Sequence, residues 1–250
     1  MEHLIERFAD ASPTVRVDPD ACVAPVRETL DRIFENQPIS ITETPGEQRN
    51  DIVVVRDGEV VAGSSTEELL RSVLLVNSDV YITGSRDLTE TELPDVLRAL
   101  EETPLRLRGY PASDSEKLLL ITVSRAIERL AYEAGRGTVR VGFQRLSRLV
   151  DEPGTARVYE RLCETDLDVH AYGVEDASPP LDLDVHTGIS QMYRRCWFVI
   201  FEPSTAAGRY AGLFAIEREP NRWDGFWTFR PERVRSLEQA IRESMTNPPK

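Results

Sequence analysis

The chain has 250 residues, of which 40% are hydrophobic and 29% are charged, a composition typical of a folded protein with a substantial core. Its formal net charge is −13, and lysine occurs only at Lys117 and Lys250, so nearly every positive charge is an arginine. Because an acidic surface repels nucleic-acid phosphates and anionic lipid headgroups, the composition argues against nucleic-acid and membrane partners. It also indicates a salt-adapted, halophilic protein.

The cysteine pattern and the N-terminal segment indicate in which cellular compartment the protein is found. Cys22, Cys163 and Cys196 are widely spaced and form no CxxC pair, which argues against the disulfide framework of a secreted protein. The segment from Met1 to Asp10 has no apolar core and is not expected to be a signal peptide. No stretch approaches the ~18 apolar residues of a membrane span. We therefore expect a cytoplasmic protein.

In the first half of the chain, the clearest predicted element is a hairpin. Residues 1–20 predict a short helix and a loose connection, and the apolar spacing of Cys22–Phe34 predicts a helix. Asp57-Gly58 lies between two β-branched runs and predicts a tight turn, because both of its positions need positive φ. Ser64 and Ser65 each have a glutamate three residues on, at Glu67 and Glu68, and this capping-box pattern predicts a following helix. Strands are further expected at 39–42 and 80–83, and a helix at 89–100.

The second half begins after a Pro- and Gly-containing stretch at 103–114, which is the best candidate for a domain boundary. Ser113 and Glu116 form a capping box for a long helix that Gly135 ends. Strands are expected at 138–143, 169–174, 196–201, 210–217 and 226–229, the last three antiparallel, with helices at 144–150, 155–164 and from Pro231, and a loop at 175–195. These elements predict an α/β (α+β) fold with antiparallel or mixed sheets flanked by helices, divided into an N-terminal α/β region at 1–108 and a second domain at 109–250.

The sequence offers no convincing catalytic or metal-binding set. It has no GxSxG elbow, no phosphate-binding loop and only three histidines, which argues against an enzyme, and no cofactor is implied. Asp182, Asp184 and His186 alternate, so in an extended strand they would share one face and could hold a divalent cation. A solvated face of an acidic protein explains the same pattern, and no metal site is predicted.

One segment suggests a different function. Residues 143–172 could form helix, turn, helix and strand, the outline of a winged-helix DNA-binding transcriptional regulator. This alternative requires Arg145, Arg148, Arg157 and Arg161 to lie on one exposed face. The acidic residues interspersed among them weaken it.

Aromatic residues concentrate in the second half of the chain and could line a ligand pocket, although aromatic side chains more generally fill cores. The residues that we expect to contact a ligand are Gln144, His170, Tyr172, Trp197 and Trp227. Gln144 follows Gly142-Phe143, where its amide could orient a ligand among aromatic rings.

Several ordered motifs in the second half together resemble a known family. They occur at 124–128 (SRAIE), 135–138 (GRGT), 142–148 (GFQRLSR), 158–162 (VYERL), 168–173 (DVHAYG), 197–199 (WFV) and 225–229 (GFWTF). Over about residues 110–235 the chain resembles the DICT sensory domain. The resemblance implies a sensory or regulatory module without catalytic residues. In a stand-alone, haloarchaeal-type member, such a module would bind a small ligand or protein partner and signal to a separate output protein, such as a kinase or a transcription regulator.

Overall fold

The structure is a computed structural model that describes residues 13–22, 24–35, 37–45, 50–69, 71–72, 88–90, 92–109, 113 and 116–246. The strand predicted at 80–83 lies outside these residues. The described residues form a four-stranded sheet, a seven-stranded sheet and helices that pack on them. The predicted fold class, mixed sheets flanked by helices, is confirmed.

The smaller sheet has the strand order β2-β1-β3-β4. Its strands are β1 (Thr14–Val17), β2 (Ser40–Glu43), β3 (Ile52–Arg56) and β4 (Glu59–Ser64), and helix α1 (Ala24–Phe34) connects β1 to β2. Asp57 and Gly58 have φ of 52° and 85°, so the predicted hairpin between β3 and β4 is confirmed. The prediction for residues 1–20 missed β1, a strand in which Val15 and Val17 alternate into the core.

The larger sheet has the strand order β5-β11-β10-β9-β6-β7-β8. Its strands are β5 (Leu105–Arg108), β6 (Arg136–Arg145), β7 (Asp166–Val174), β8 (Asp184–Thr187), β9 (Cys196–Pro203), β10 (Ala211–Glu219) and β11 (Arg222–Thr228). β6, β7 and β8 pair in parallel, whereas every other neighbouring pair of this sheet is antiparallel, including the predicted set β9–β11. The loop predicted at 175–195 was wrong in part, because it contains β8 and a helical turn.

Helices cover both faces of the larger sheet. α4 (Glu116–Ala134) and α6 (Pro153–Cys163) pack on one face, and α7 (Gln191–Arg195) and α8 (Pro231–Ile241) pack on the other. The described residues also form the short α-helices α2 (Thr66–Leu69), α3 (Asp95–Ala99) and α5 (Arg148–Asp151), a 3-10 turn at Leu88–Glu90 and a π-helical turn at Arg242–Thr246. None of the helices in the described ranges is long and apolar enough to cross a membrane.

The start and end of α4 follow from its sequence. The Glu116 amide donates to Ser113 Oγ at 3.1 Å, and the Gly135 amide donates to the Ala131 carbonyl at 3.0 Å, with Gly135 at a φ of 66°. The Glu116 carboxylate is 1% exposed and accepts hydrogen bonds from the backbone and guanidinium of Arg108 at 2.5–2.8 Å. The N-terminus of α4 is therefore tied directly to the end of β5.

Buried side chains from both sheets belong to one continuous cluster, which includes Val15 and Val54 of the small sheet and Leu107 and Leu120 further along the chain. β5 ends at Arg108 and pairs with β11 in the larger sheet. The division into domains at 1–108 and 109–250 stays a prediction.

The segment 143–172 is not a winged helix. It contains the end of β6, then α5 and α6, and then β7, so its helices form the crossover between two parallel strands. α6 buries Val158 and Leu162, and three of the four arginines that would read DNA lie near acidic or aromatic groups of the protein itself. Arg145 lies 3.8 Å from Asp176, Arg148 lies 3.9 Å from Glu152, and Arg161 lies over the Tyr132 ring. The structure therefore does not support the DNA-binding alternative.

Candidate functional site

The structure separates the five candidate residues into three places. Trp227 is fully buried, and its indole N–H donates to the Leu97 carbonyl of α3 at 3.0 Å. Trp197 and Gln144 lie at one end of the sheet face that α4 covers, whereas His170 and Tyr172 lie on the opposite face, at the edge formed by β7 and β8. Apart from Trp227, the candidate residues therefore belong to two separate clusters, one with Trp197 and Gln144 and one with His170 and Tyr172.

The first cluster surrounds Lys117, in the first turn of α4. Its ammonium lies 5.1 Å from the ring centroid of Trp223 and 5.9 Å from that of Trp197, within the range of cation–π contact. Trp223 is 3% exposed, and its indole N–H has no hydrogen-bond acceptor among the described residues. A buried donor without an acceptor is costly, so this indole N–H is an unsatisfied polar group next to Lys117.

Burial lowers the pKa of the Lys117 ammonium below its ordinary value, and the nearby positive charge of Arg148 lowers it further. The carboxylates of Glu152 and Glu217 act in the opposite direction but more weakly. A lysine with a lowered pKa beside aromatic rings is characteristic of functional sites more than of solvated surfaces.

Gln144 extends the same cluster. Its amide N–H donates to Glu217 Oε2 at 3.1 Å and to the Arg195 carbonyl at 3.3 Å, while its amide oxygen lies 3.4 Å from Arg148 Nη2. Gln144 has a φ of 65° next to an irregularity in the pairing of β6 with β7. A residue other than glycine rarely adopts this conformation, and such strain collects at functional sites.

The second cluster lies where β8 pairs with β7. His170 Nδ1 is 3.1 Å from His186 Nε2 and 3.5 Å from Asp184 Oδ2, and His170 Nε2 is 2.9 Å from Asp168 Oδ2. Burial lowers the pKa of His186, and the charges of His170 and Arg140 lower it further. Of the alternating residues noted in the sequence, Asp184 and His186 share this site, while Asp182 precedes β8.

Tyr172 connects the second cluster to the C-terminal helix. Its ring stacks on His186 with centroids 4.4 Å apart, and its hydroxyl accepts a hydrogen bond from Arg140 Nη1 at 2.7 Å. Arg140 Nε in turn donates to Glu238 of α8 at 2.7 Å. A chain of direct contacts therefore runs from the β7–β8 edge to α8.

Two surface clefts are lined by other residues. A cleft of about 330 Å³ lies between the end of α4 and the β9–β10 connection, with Glu133, Arg136 and Arg209 on its walls. A cleft of about 530 Å³ lies between β4 and α3, with Arg56 and Arg98 on its walls. Neither contains any of the five residues expected to bind a ligand.

Lys117 and Trp223 were not among the expected site residues. One feature of the sequence distinguishes Lys117. It is one of only two lysines, and it lies in the first turn of the long helix predicted from the Ser113–Glu116 capping box. The pairing of β11 with β5 brings Trp223 next to this helix, and no local pattern indicates that pairing.

With its seven-stranded mixed sheet between two layers of helices, the molecule has an α+β fold of the sensor-domain type. Residues 95–213 match the model of the DICT family, described as a sensory domain in diguanylate cyclases and two-component systems. The match agrees with the resemblance noted from the sequence motifs, and a sensory domain of this kind supports a sensory or regulatory role in signalling. The match begins with α3, upstream of the resemblance noted from the motifs. No curated protein and no solved structure matched the chain.

Proposed function

We propose that this protein is a sensory module that binds a small ligand at the Lys117 cluster and passes that state to a separate signalling protein, such as a kinase or a transcription regulator. The observation that carries the proposal is the half-buried Lys117, whose amine contacts the rings of both Trp197 and Trp223, while Gln144 contacts Arg148 and Glu217, two charges that act on Lys117. The sensory role of the matching family supports the assignment as a sensory module, and the Lys117 cluster supports the position of the ligand-binding site.

The groups at the cluster favour a ligand that accepts hydrogen bonds. Lys117 and the indole N–H of Trp223 are donors, and Arg148 adds positive charge. The two indole rings provide flat apolar surface, and pockets for small molecules combine such surface with a few placed polar groups. A small carboxylate-bearing molecule with an apolar part fits this combination.

Gln144 is suited to transmit occupancy. It contacts β9–α7 through the Arg195 carbonyl, β10 through Glu217 and α5 through Arg148. A ligand that draws Arg148 or Glu217 toward itself would release the Gln144 amide and favour a different backbone conformation at this residue. The bound state would then be selected by its differential contacts, which is how a ligand shifts a conformational equilibrium.

The test is native mass spectrometry of the full chain after incubation with a deproteinised cell extract. We expect the wild type to retain a small molecule and Lys117→Met to lose it, because the substitution removes the ammonium but keeps the length and apolar character of the side chain. Lys250→Met is the matched control, since it removes the other lysine, and it should retain the molecule as the wild type does.

Two outcomes would contradict this assignment. If the wild type retains no small molecule but captures a protein from whole extract, the chain is a protein-interaction module and the Lys117 cluster is part of its core. If Lys117→Met retains the molecule as well as the wild type does, the ligand binds elsewhere. A melting curve of each variant establishes that the loss of binding does not reflect unfolding.

A further inference from the structure

We propose that the β7–β8 edge is a binding site for a divalent transition-metal ion, with His170 Nδ1, His186 Nε2 and an Asp184 carboxylate oxygen as its ligands. This site lies on the other face of the sheet from the Lys117 cluster and does not depend on the function proposed for that cluster.

The distances from His170 Nδ1 to the two other donor atoms are those of neighbouring ligands on one ion, and Asp168, His170 and Asp184 each have a potential ligand atom within 4.8 Å of the others. His170 Nδ1 lies 3.1 Å from His186 Nε2 and 3.5 Å from Asp184 Oδ2. Ligands bound at the usual 2.0–2.2 Å in tetrahedral geometry are separated by about 3.3–3.6 Å, so each of these two separations suits a pair of ligands on the same ion. The parallel pairing of β8 with β7 sets these distances, because it places Asp184 directly beside His170 and His186 beside Tyr172.

Asp168 provides the support that metal-binding histidines generally have. Its carboxylate lies 2.9 Å from His170 Nε2, the ring nitrogen that faces away from His186. A histidine that binds a metal through one nitrogen almost always donates the N–H of the other to a carboxylate, a carbonyl or water. The Asp168 contact therefore fixes the tautomer in which His170 Nδ1 carries a free lone pair.

The burial of the residues also suits an ion that enters from solvent. The His170 side chain is 12% exposed, whereas those of Asp168 and Asp184 are 60% and 69% exposed. The imidazoles thus form the inner wall and the carboxylates the outer rim. Arg140, the cation closest to the interior of this site, is neutralised by Glu238 at 2.7 Å.

The ligand set selects a class of metal. Two imidazoles and one carboxylate suit zinc, cobalt, nickel or ferrous iron, whereas calcium and magnesium prefer oxygen ligands alone. Three protein ligands leave a further coordination position for water or a second ligand. Because His186 stacks on Tyr172, an ion that holds His186 in place would also fix the Tyr172–Arg140–Glu238 contacts to α8.

The test is titration of the metal-free full chain with Co²⁺, followed by visible absorption and by isothermal calorimetry. We expect one equivalent to bind, with the d–d bands of a site of low coordination number. His186→Phe keeps a ring against Tyr172 but removes a ligand, and it should weaken binding about 100-fold or more. Asp168→Asn should weaken it about 10- to 100-fold, the range for loss of a group that orients a metal-bound histidine.

Asp182→Asn is the matched control, because it removes a neighbouring exposed carboxylate outside β8 and should leave the affinity unchanged. The proposal is overturned if the wild type binds no stoichiometric Co²⁺, which would leave a hydrogen-bonded histidine pair. It is equally overturned if His186→Phe binds as tightly as the wild type. Melting curves recorded without metal show whether each variant is folded.

Discussion

At the scale of single residues, the most informative side chain is Lys117. Its aromatic neighbours and its partial burial set it apart from a surface lysine, and the scarcity of lysine makes its titration measurable. Dimethylation with ¹³C-formaldehyde would label only Lys117, Lys250 and the N-terminal amine. The label therefore reports on the candidate site with almost no background.

We expect one of the dimethyl-lysine resonances to titrate below the usual lysine range near pH ~10.4, because burial and the Arg148 charge disfavour the ammonium. That resonance should be absent from Lys117→Met. The unfolded chain binds this proton more tightly than the folded chain does. Protonation of Lys117 therefore lowers the free energy of unfolding as the pH drops from the unfolded pKa toward the folded pKa, and this loss is absent above the unfolded pKa. Two lysine resonances that both titrate normally would contradict the burial of this amine.

The residue scale also shows what a sequence can and cannot indicate about a site. Trp197 does contact Lys117, and Gln144 contacts Arg148 and Glu217 nearby, whereas Trp227 is packed in the core against Leu97. His170 and His186 were considered separately. Their proximity depends on the pairing of a four-residue edge strand across a polar connection, and nothing in the local sequence specifies that pairing.

At the scale of elements, the contact between α4 and α6 contains a buried ion pair. Arg125 Nη1 donates to Glu128 Oε2 at 2.6 Å, the Tyr159 hydroxyl donates to Glu128 Oε1 at 2.8 Å, and Arg125 Nη2 donates to Thr155 Oγ1 at 3.1 Å. Glu128 is 3% exposed. Burial and the adjacent Glu128 charge hold the pKa of Tyr159 well above its ordinary value, so its hydroxyl remains a donor.

Replacing Glu128 with alanine should lower the free energy of unfolding by about 3–5 kcal/mol, because the buried Arg125 charge loses its close carboxylate. Glu133→Ala, on the same helix, removes a partly exposed partner of Arg129 and Arg209 and should cost less than about 1 kcal/mol. Urea unfolding of both variants measures the difference. Equal costs would mean that Glu128 contributes no more than a surface ion pair.

The elements themselves were predictable where the signal was local. The Ser65–Glu68 capping box forms with both of its hydrogen bonds, and the Asp57-Gly58 turn adopts the required positive φ. β1 and β8 were missed because each has four residues and adjoins prolines or acidic residues that resemble a loop. In β8 three of the four residues are exposed and only His186 is half-buried, so the strand lacks the hydrophobic alternation that marks a buried one.

At the scale of the whole molecule, the dominant property is the net charge of −13. Like charges on one compact body repel each other, and salt screens that repulsion, because the Debye length falls from about 10 Å at 0.1 M to about 3 Å at 1 M. The abundance of surface carboxylates and the scarcity of lysine are the basis for predicting salt adaptation.

We expect the melting temperature to rise when KCl is increased from 0.1 M to 2 M, by about 2–4 °C for each kcal/mol of repulsion removed. KCl is preferable to a sulfate salt, because excluded sulfate strengthens the burial of apolar surface in any protein. A melting temperature that stays constant or falls would show that surface repulsion does not limit stability, and it would remove the basis for the halophilic prediction.

The contacts around Trp227 have a consequence for how the chain acquires its structure during synthesis. The amide of Glu102 donates to the Trp227 carbonyl, the Trp227 indole donates to Leu97, and the amide of Phe229 donates to the Glu101 carboxylate. The Leu97 and Trp227 partners are 130 residues apart in the sequence. On the ribosome, β5 therefore lacks its partner strand until β11 has emerged. Pairing of strands so distant in the sequence is slow, and the incompletely folded chain is the form that chaperones would bind.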